Sequence, residues 1–220
     1  MISDGDRILV GLSGGKDSLT LMWMLAERLP RIPLNYELVA VHVDLGFPGG
    51  FTESLKNYCE NNGYHLTVVY TNYGLVSHSL ENRENPCFLC ARMRRKRLFE
   101  MAAKTGCNKI ALGHNKDDII ETLLINMCYG GEISTMMPAQ EIFGGELTII
   151  RPLAFTDEAT IRNFAESAKF PIFKNPCPTA PTSKRNDVKK ILESLYRGNT
   201  KVKGNIFRAI HNVRYDYMPK

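Results

Sequence analysis

The string Ser13-Gly14-Gly15-Lys16-Asp17-Ser18 has the composition of an anion cradle. Two adjacent glycines let the backbone approach a bound group with no Cβ in the way. Ser13 and Ser18 add hydroxyl donors, and Lys16 adds a point charge. If the string opens a helix, the unpaired N–H groups of the first turn join them, and phosphate becomes the natural ligand. Asp17 would be repelled by bare phosphate, so its place is beside a metal such as Mg2+ or turned outward. Neither a Gly-x-x-x-x-Gly-Lys-Ser/Thr loop nor a Gly-x-Gly-x-x-Gly loop is present.

A second constellation is built on sulfur. The chain has six cysteines, Cys59, Cys87, Cys90, Cys107, Cys128 and Cys177. A chain of this size and composition does not use them as a disulfide framework. Cys59, Cys107 and Cys128 fall on helical faces or at a strand edge and are expected in the core. Cys87 and Cys90 form a Cys-x-x-Cys just before a helix, whose N-terminus would lower their pKa. Such a pair suits a redox dithiol, half of a zinc site or part of an iron–sulfur site. Cys177, in the irregular run Asn175-Pro176-Cys177-Pro178, is the candidate third ligand. Three thiolates would leave one iron of a [4Fe–4S] cluster without a protein ligand.

The elements needed to position these groups can be read from periodicity. Arg7–Leu12 is a short buried strand, and residues 16–29 are a helix with Leu19, Leu21, Met22, Met24, Leu25 and Leu29 on its apolar face. Leu38–Asp44 is a near-continuous apolar strand of the kind covered on both faces. Residues 52–62 form a helix stopped by Gly63, His65–Tyr70 a strand, and residues 91–105 a helix ended by Gly106. Lys109–Leu112 is a strand, Asp117–Cys128 a helix, and Leu147–Arg151 a fifth strand. Helices follow with stripes at Ile161, Phe164, Ala165 and Ala168 (with Thr156 as N-cap), at Val188, Ile191, Leu192 and Leu195, and at Ile206, Phe207, Ile210 and Val213. Strands alternating with helices give an α/β, doubly wound parallel sheet with a helical C-terminal extension. The phosphate-binding string then lies where such sheets bind ligands, beyond the carboxyl end of a strand.

Charge divides the chain. Residues 1–150 hold 14 Lys/Arg against 17 Asp/Glu, whereas residues 151–220 hold 14 against 6. The basic end suits a polyanion such as RNA, or simply a solubilising surface. Lys184, Arg185, Lys189, Lys190, Arg197, Lys201, Lys203, Arg208 and Arg214 stud the terminal helices, and would give salt-dependent, sequence-blind affinity. On the 91–105 helix Arg92, Arg94, Arg95, Lys96 and Arg97 cannot all face one way. No apolar run reaches the length of a membrane span and the N-terminus carries no signal-peptide pattern, so a cytoplasmic protein without membrane contact is expected.

The six-residue loop motif, at its strand–helix junction, resembles the PP-loop of the adenylating nucleotide-modifying enzymes, also described as adenine nucleotide alpha hydrolase-like. His42-Val43-Asp44 resembles the segment where that family receives adenine and ribose. Gly113-His114-Asn115-Lys116-Asp117-Asp118 resembles its Gly-His-x-x-Asp-Asp signature. Cys87 to Arg95, Ile110 to His114, Ile125 to Gly131, Ile150 to Ala154 and Phe170 to Ile172 are similar to stretches of the tRNA 2-thiocytidine synthetase family, TtcA. The resemblance runs from about Arg7 to Val213. A related branch, the tRNA 2-thiouridine synthetases, has a Cys-Pro third ligand like Cys177-Pro178. In two places the chain departs from the family. Cys177-Pro178-Thr179-Ala180 lacks a second cysteine close behind the third ligand, and Asn115 stands where a second histidine is common.

The resemblance implies ATP on Ser13–Ser18 with Mg2+, nucleotide contacts at His42, Val43, Asp44, Gly113 and His114, and a [4Fe–4S] cluster on Cys87, Cys90 and Cys177. It implies catalytic roles for Lys16, Asp17, Arg94 and Asp118. The activity expected is adenylation of C2 of a tRNA pyrimidine, taken as cytidine, followed by replacement of its oxygen with sulfur. The sulfur would come from a cysteine desulfurase as sulfide or on a carrier, and a homodimer is allowed for. Domains are expected at 1–155, the ATP-binding part with the Cys-x-x-Cys, and 156–220, the basic helical part with Cys177. Two alternatives keep the nucleotide and drop the cluster: an adenylating ligase or amidotransferase of the tRNA lysidine synthetase type, and a non-enzymatic adenine-nucleotide-binding module.

Overall fold

The computed structural model describes residues 1–179 and 183–217. A six-stranded sheet has the order β3-β2-β1-β4-β6-β5. Its strands are β1 (Asp6–Gly11), β2 (Tyr36–Asp44), β3 (Leu66–Tyr70), β4 (Lys109–Ala111), β5 (Ala139–Ile142) and β6 (Leu147–Ile150). All neighbouring pairs run parallel except β5 with β6, which is antiparallel. The doubly wound α/β sheet read from the periodicity is therefore present, with an antiparallel edge strand that the sequence pattern did not reveal.

The helices are α1 (Lys16–Arg28), α2 (Thr52–Asn61), α3 (Tyr73–Ser77), α4 (Pro86–Thr105), α5 (Lys116–Ile125), α6 (Glu158–Ser167), α7 (Lys184–Gly198) and α8 (Val202–Ala209). Two differ from expectation in a way that matters. α4 starts at Pro86, so the Cys-x-x-Cys lies inside its first turn, not before it. Pro fits that position because its missing N–H would be unpaired there anyway, and the Asn85 side chain caps the helix. α6 is entered through Asp157, so Thr156 is not its N-cap. Short α3 went unread, since five residues cannot display a helical period. Gly106 ends α4 in the left-handed conformation, as anticipated.

The strands read as apolar because both faces are covered. Ile8, Val10, Leu19, Leu21, Leu25, Leu55 and Ile150 pack in one cluster, and Leu9, Val41, Met101, Ala102 and Ile110 in another. A third, smaller cluster joins Ile120 to Val188 and Leu192. By contacts the chain forms two compact units interleaved in sequence: Met1–Asn115 with Met137–Ala180, and Lys116–Met136 with Pro181–Lys220. The sheet and α6 belong to the first. The second contains α5, α7 and α8, whose apolar stripes bury one another. The region 156–220 is thus distributed over both units, because α6 packs with α1 while α7 packs with α5. Among the described residues no helix is long and apolar enough to cross a membrane.

Candidate functional site

The strand order changes direction at β1. From there the chain builds outward to β2 and β3, then returns to add β4 on the other side. The loops leaving β1 and β4 therefore diverge from one crevice, where sheets of this kind take their ligands. The loop after β1 is Leu12–Gly15, and the loop after β4 is Leu112–Asn115. They touch closely: a Cβ on Gly113 would lie 2.9 Å from the backbone of Asp17 and Ser18. The Asn115 amide donates to Asp17 Oδ1 at 2.9 Å.

Within the first loop Ser18 Oγ donates to the Gly15 carbonyl at 2.9 Å and accepts from the Ser13 amide at 3.2 Å. Gly14 has φ +80°, and a side chain there would run into the Phe51 ring. Both constraints explain the glycine at position 14. Lys16 Nζ lies 3.0 Å from Asp17 and 2.9 Å from Glu158 of α6. Burial works to lower the Lys16 pKa, but the Glu158 and Asp17 carboxylates outweigh it and the net shift is upward. Lys16 is firmly a cation. Asp17 is neither outward nor loose, since Lys16 and Asn115 hold both its oxygens. Glu158 was not singled out in the sequence, where it is one more acid at a helix start.

Behind the loop stands His42, which is buried. Its Nδ1 donates to the Leu12 carbonyl at 2.7 Å, immediately before Ser13. Its Nε2 faces the Thr52 hydroxyl at 3.4 Å. Thr52 donates to Asp44 Oδ2, and Asp44 Oδ1 accepts from the Gly46 amide. The His42 and Asp44 side chains, expected to meet the nucleotide, are thus engaged with their own fold and brace the loop. Burial pushes the His42 pKa down, and the Arg94 charge adds to that.

His114 is also held by a cation. Arg151 is buried, and its Nε donates to His114 Nδ1 at 3.3 Å while its terminal nitrogen reaches the Met137 carbonyl. A guanidinium has only donors. His114 is therefore unprotonated at Nδ1 and carries its proton on Nε2. Burial and then the Arg95 charge push the Arg151 pKa down to about 10, so it stays cationic at neutral pH.

The cysteines expected as ligands are brought together. Cys87 Sγ and Cys177 Sγ each lie 3.5 Å from the same atom, Thr179 Oγ1. Cys90 interacts electrostatically with both of them and with Arg94, and has the Ser77 hydroxyl beside it. Burial chiefly raises the Cys90 pKa, and the two neighbouring sulfurs add to this. The Arg94 charge and the Ser77 hydroxyl work the other way, but the net shift is upward, opposite to the lowering expected for this cysteine. The Asn85 side chain accepts from the Cys87 amide at 3.0 Å, and the Asn175 side chain accepts from the Cys177 amide at 3.0 Å. Both cysteines sit in the same Asn-Pro-Cys turn, a repeat visible in the sequence that cysteine counting passed over. Ala180, in the run behind Cys177, lies outside the described residues.

Among the described residues no three His, Cys, Asp or Glu side chains close on a point that one ion would occupy. A [4Fe–4S] cluster asks for something wider, since each thiolate binds a different iron. Two contacts of 3.5 Å to one oxygen keep the Cys87 and Cys177 sulfurs within 7 Å of each other. Three free thiols brought to one place fit that donor set. The remaining cysteines part ways: Cys59 and Cys107 are buried as expected, but Cys128 is exposed. α5 gives way at Asn126–Gly130 to a π-helical turn, which takes Cys128 off the apolar stripe.

In the second unit, Asp117 and Asp118 open α5 and each meets a cation. Lys203 lies 2.7 Å from Asp117, and Arg185 lies 2.9 Å from Asp118 and 3.1 Å from Glu121. Two of the nine basic residues expected to meet RNA are thus turned onto α5. Lys184 lies over the Tyr129 ring. Lys184, Lys190, Arg197, Lys201, Arg208 and Arg214 remain exposed. On α4, Arg92 and Arg97 pair with Glu84 and Glu100, while Arg94 is felt at Cys90 and His42.

Residues 3–195 match the family model described as a PP-loop domain. The chain is 39% identical to the tRNA-cytidine(32) 2-sulfurtransferase of Geobacter sulfurreducens, over 99% of this chain and 86% of that protein. It is likewise 39% identical to the one from Methylobacillus flagellatus, over 99% of this chain and 73% of that protein. Among solved structures it is similar to the U34-tRNA thiolase NcsA from Methanococcus maripaludis with its [4Fe–4S] cluster. That match has a TM-score of 0.79 and 28% identity, covering 99% of this chain and 74% of that one. The NH3-dependent NAD synthetase of Campylobacter jejuni shares the fold, at TM-score 0.51 and 18% identity over 98% of this chain and 88% of that one.

Proposed function

Because this chain belongs to the PP-loop family of tRNA-cytidine 2-sulfurtransferases, we propose that it is an ATP-dependent, [4Fe–4S]-dependent tRNA thiolase that replaces the C2 oxygen of a cytidine with sulfur. The observation that carries the cluster is the convergence of Cys87, Cys90 and Cys177 in one unit with the Ser13–Ser18 loop. Family membership carries the tRNA.

The loop amides, Ser13, Ser18 and Lys16 bind the phosphates of ATP. The C2 oxygen attacks the α-phosphate, pyrophosphate leaves, and the base oxygen becomes part of a good leaving group, AMP. Lys16 and the loop amides stabilise the charge that develops on the phosphates. Asp17, whose oxygens contact Lys16 and Asn115 in the protein alone, is the carboxylate assigned to Mg2+, a cation that prefers oxygen ligands. Gly113 keeps the second loop close enough for Asn115 to orient Asp17. His114, proton on Nε2, can donate a hydrogen bond from that atom. Arg94 supplies positive charge on the cysteine side. Family resemblance alone assigns Asp118 the role of a catalytic carboxylate. Cys87, Cys90 and Cys177 would hold the cluster, which would supply an iron site able to carry sulfide from a desulfurase or carrier. Net, sulfur enters at C2 and the oxygen departs with AMP. Exposed basic residues of α7 and α8 bind the RNA backbone.

Anaerobic iron and sulfide analysis of the wild type and of Cys177→Ala tests this. A brown wild type with about four irons per chain and a colourless variant are expected. A colourless wild type holding stoichiometric zinc points instead to amine transfer by a lysidine-type ligase. Absence of AMP and pyrophosphate release with tRNA present points to a nucleotide-binding module. Either result overturns the proposal.

A further inference from the structure

Thr179 contacts both Cys87 and Cys177 and has no role in the chemistry above. A threonine hydroxyl offers one proton and two acceptor positions. All three are used: His78 Nε2 lies at 3.0 Å, Cys87 Sγ at 3.5 Å and Cys177 Sγ at 3.5 Å.

His78 Nδ1 lies 2.8 Å from the Gly74 carbonyl, which can only accept, so Nδ1 donates to it. Nε2, on the other side of the ring, meets the Thr179 hydroxyl. Both sulfurs meet the same hydroxyl, so Gly74, His78, Thr179 and the two cysteines form one continuous run of contacts.

His78 is itself fixed. It follows directly on α3, and the Phe47 ring meets it edge-on with centroids 5.5 Å apart. The residue before it, Ser77, is buried and stands beside Cys90. The end of α3 thus reaches all three cysteines: Cys90 through Ser77, and Cys87 and Cys177 through His78 and Thr179. Cys87 belongs to α4, while Cys177 lies in an irregular segment 90 residues further along. Asn85 and Asn175 fix their backbone amides. The contact found between the two sulfurs' positions is the Thr179 hydroxyl.

We propose that Thr179, oriented by His78, is a positioning residue that holds the Cys87 and Cys177 thiols at the separation a [4Fe–4S] cluster needs, before the cluster arrives. The purpose of the bridge rests on the cluster reading above; the bridge itself does not. Pre-placing two ligands on separate segments removes the ordering cost that binding would otherwise meet.

The test uses the full chain in two assays. In cluster-free protein carrying Cys90→Ser, the Cys87–Cys177 pair is equilibrated with a glutathione redox buffer, and its effective concentration is read by mass spectrometry. Thr179→Val is expected to lower that value several-fold, Thr179→Ser to restore it, and His78→Phe to lower it in the same direction. In protein with all cysteines, reconstitution with limiting ferrous iron and sulfide is expected to load Thr179→Val less fully than wild type or Thr179→Ser. A Thr179→Val pair with the wild-type effective concentration overturns the proposal. So does a loss that Thr179→Ser fails to restore. If the wild type takes up no iron, the cluster reading fails, and the redox-buffer assay still decides on Thr179.

Discussion

Lys16 Nζ of the phosphate loop lies 2.9 Å from Glu158 Oε1, on a helix that begins after the last strand of the sheet. The phosphates of ATP need the same ammonium. Glu158 therefore competes with the ligand and also places a negative charge beside it. Glu158→Gln is expected to tighten ATP binding about two- to five-fold, the scale of a partly exposed ion pair of ~0.5–1 kcal/mol. Isothermal titration without tRNA measures it. Unchanged or weaker binding would show that Glu158 assists the nucleotide, for example through a metal.

The Arg151–His114 contact predicts a protonation state. Since Arg151 can only donate, His114 is neutral with its proton on Nε2. Two-dimensional 15N–1H spectra of imidazole-labelled protein at neutral pH should show His114 Nδ1 as an unprotonated nitrogen. Arg151→Met should allow the other tautomer and lower the thiolation rate with little change in the KM for ATP. A protonated Nδ1 in the wild type contradicts the assignment.

His42 gives the fold an acid limit. Its folded-state pKa lies below the ordinary 6.5 because the ring is buried. The unfolded chain then binds a proton that the native state refuses, so stability is full above pH 6.5 and declines as pH falls toward the lowered folded value. One such group costs at most about 1.4 kcal/mol per pH unit in that window. His42→Asn keeps a donor near the Leu12 carbonyl and cannot titrate. Its Tm is expected to be lower at pH 7.5 but to fall less between pH 7 and 5.5. Parallel Tm curves for the two proteins would remove His42 as the cause.

The sheet and its first loop were legible because their signals are local. Continuous apolar runs, the two glycines of Ser13–Ser18 and the stops at Gly63 and Gly106 each carry their reason within a few residues. The grouping of Cys87, Cys90 and Cys177 was legible by chemistry and resemblance, not by spacing, since Cys177 is remote in sequence. What stayed hidden was the set of groups that hold them. Glu158 reaches Lys16 across 142 residues. His78 and Thr179 are 101 apart. Arg151 reads in the sequence as the end of a strand. Nothing local marks these residues, because their roles are created by tertiary packing. Gly113 was noted only as part of a motif; its reason, a backbone approach that leaves no room for a methyl group, exists only in the folded chain.

Arg185 shows how charge and stability are coupled in the second unit. Its guanidinium contacts Asp118, Glu121 and Thr122 on α5 from α7, and Glu121 is buried. Arg185→Met would take this cation away from the buried Glu121 carboxylate. The half-exposed position of Arg185 lets water offset part of that loss, so a destabilisation of about 1–3 kcal/mol is expected. It should appear in hydrogen exchange as faster opening of α5 and α7, with the β1 and β2 amides little changed. Adding Glu121→Gln to Arg185→Met removes the carboxylate's charge and should recover part of the loss, a coupling that a double-mutant cycle reads directly. Additive losses would mean that Arg185 acts through Asp118 and Thr122, with Glu121 satisfied elsewhere. If tRNA phosphates drew Arg185 away, exchange in α5 would rise on adding tRNA. The internal role argued here requires protection there to hold or increase.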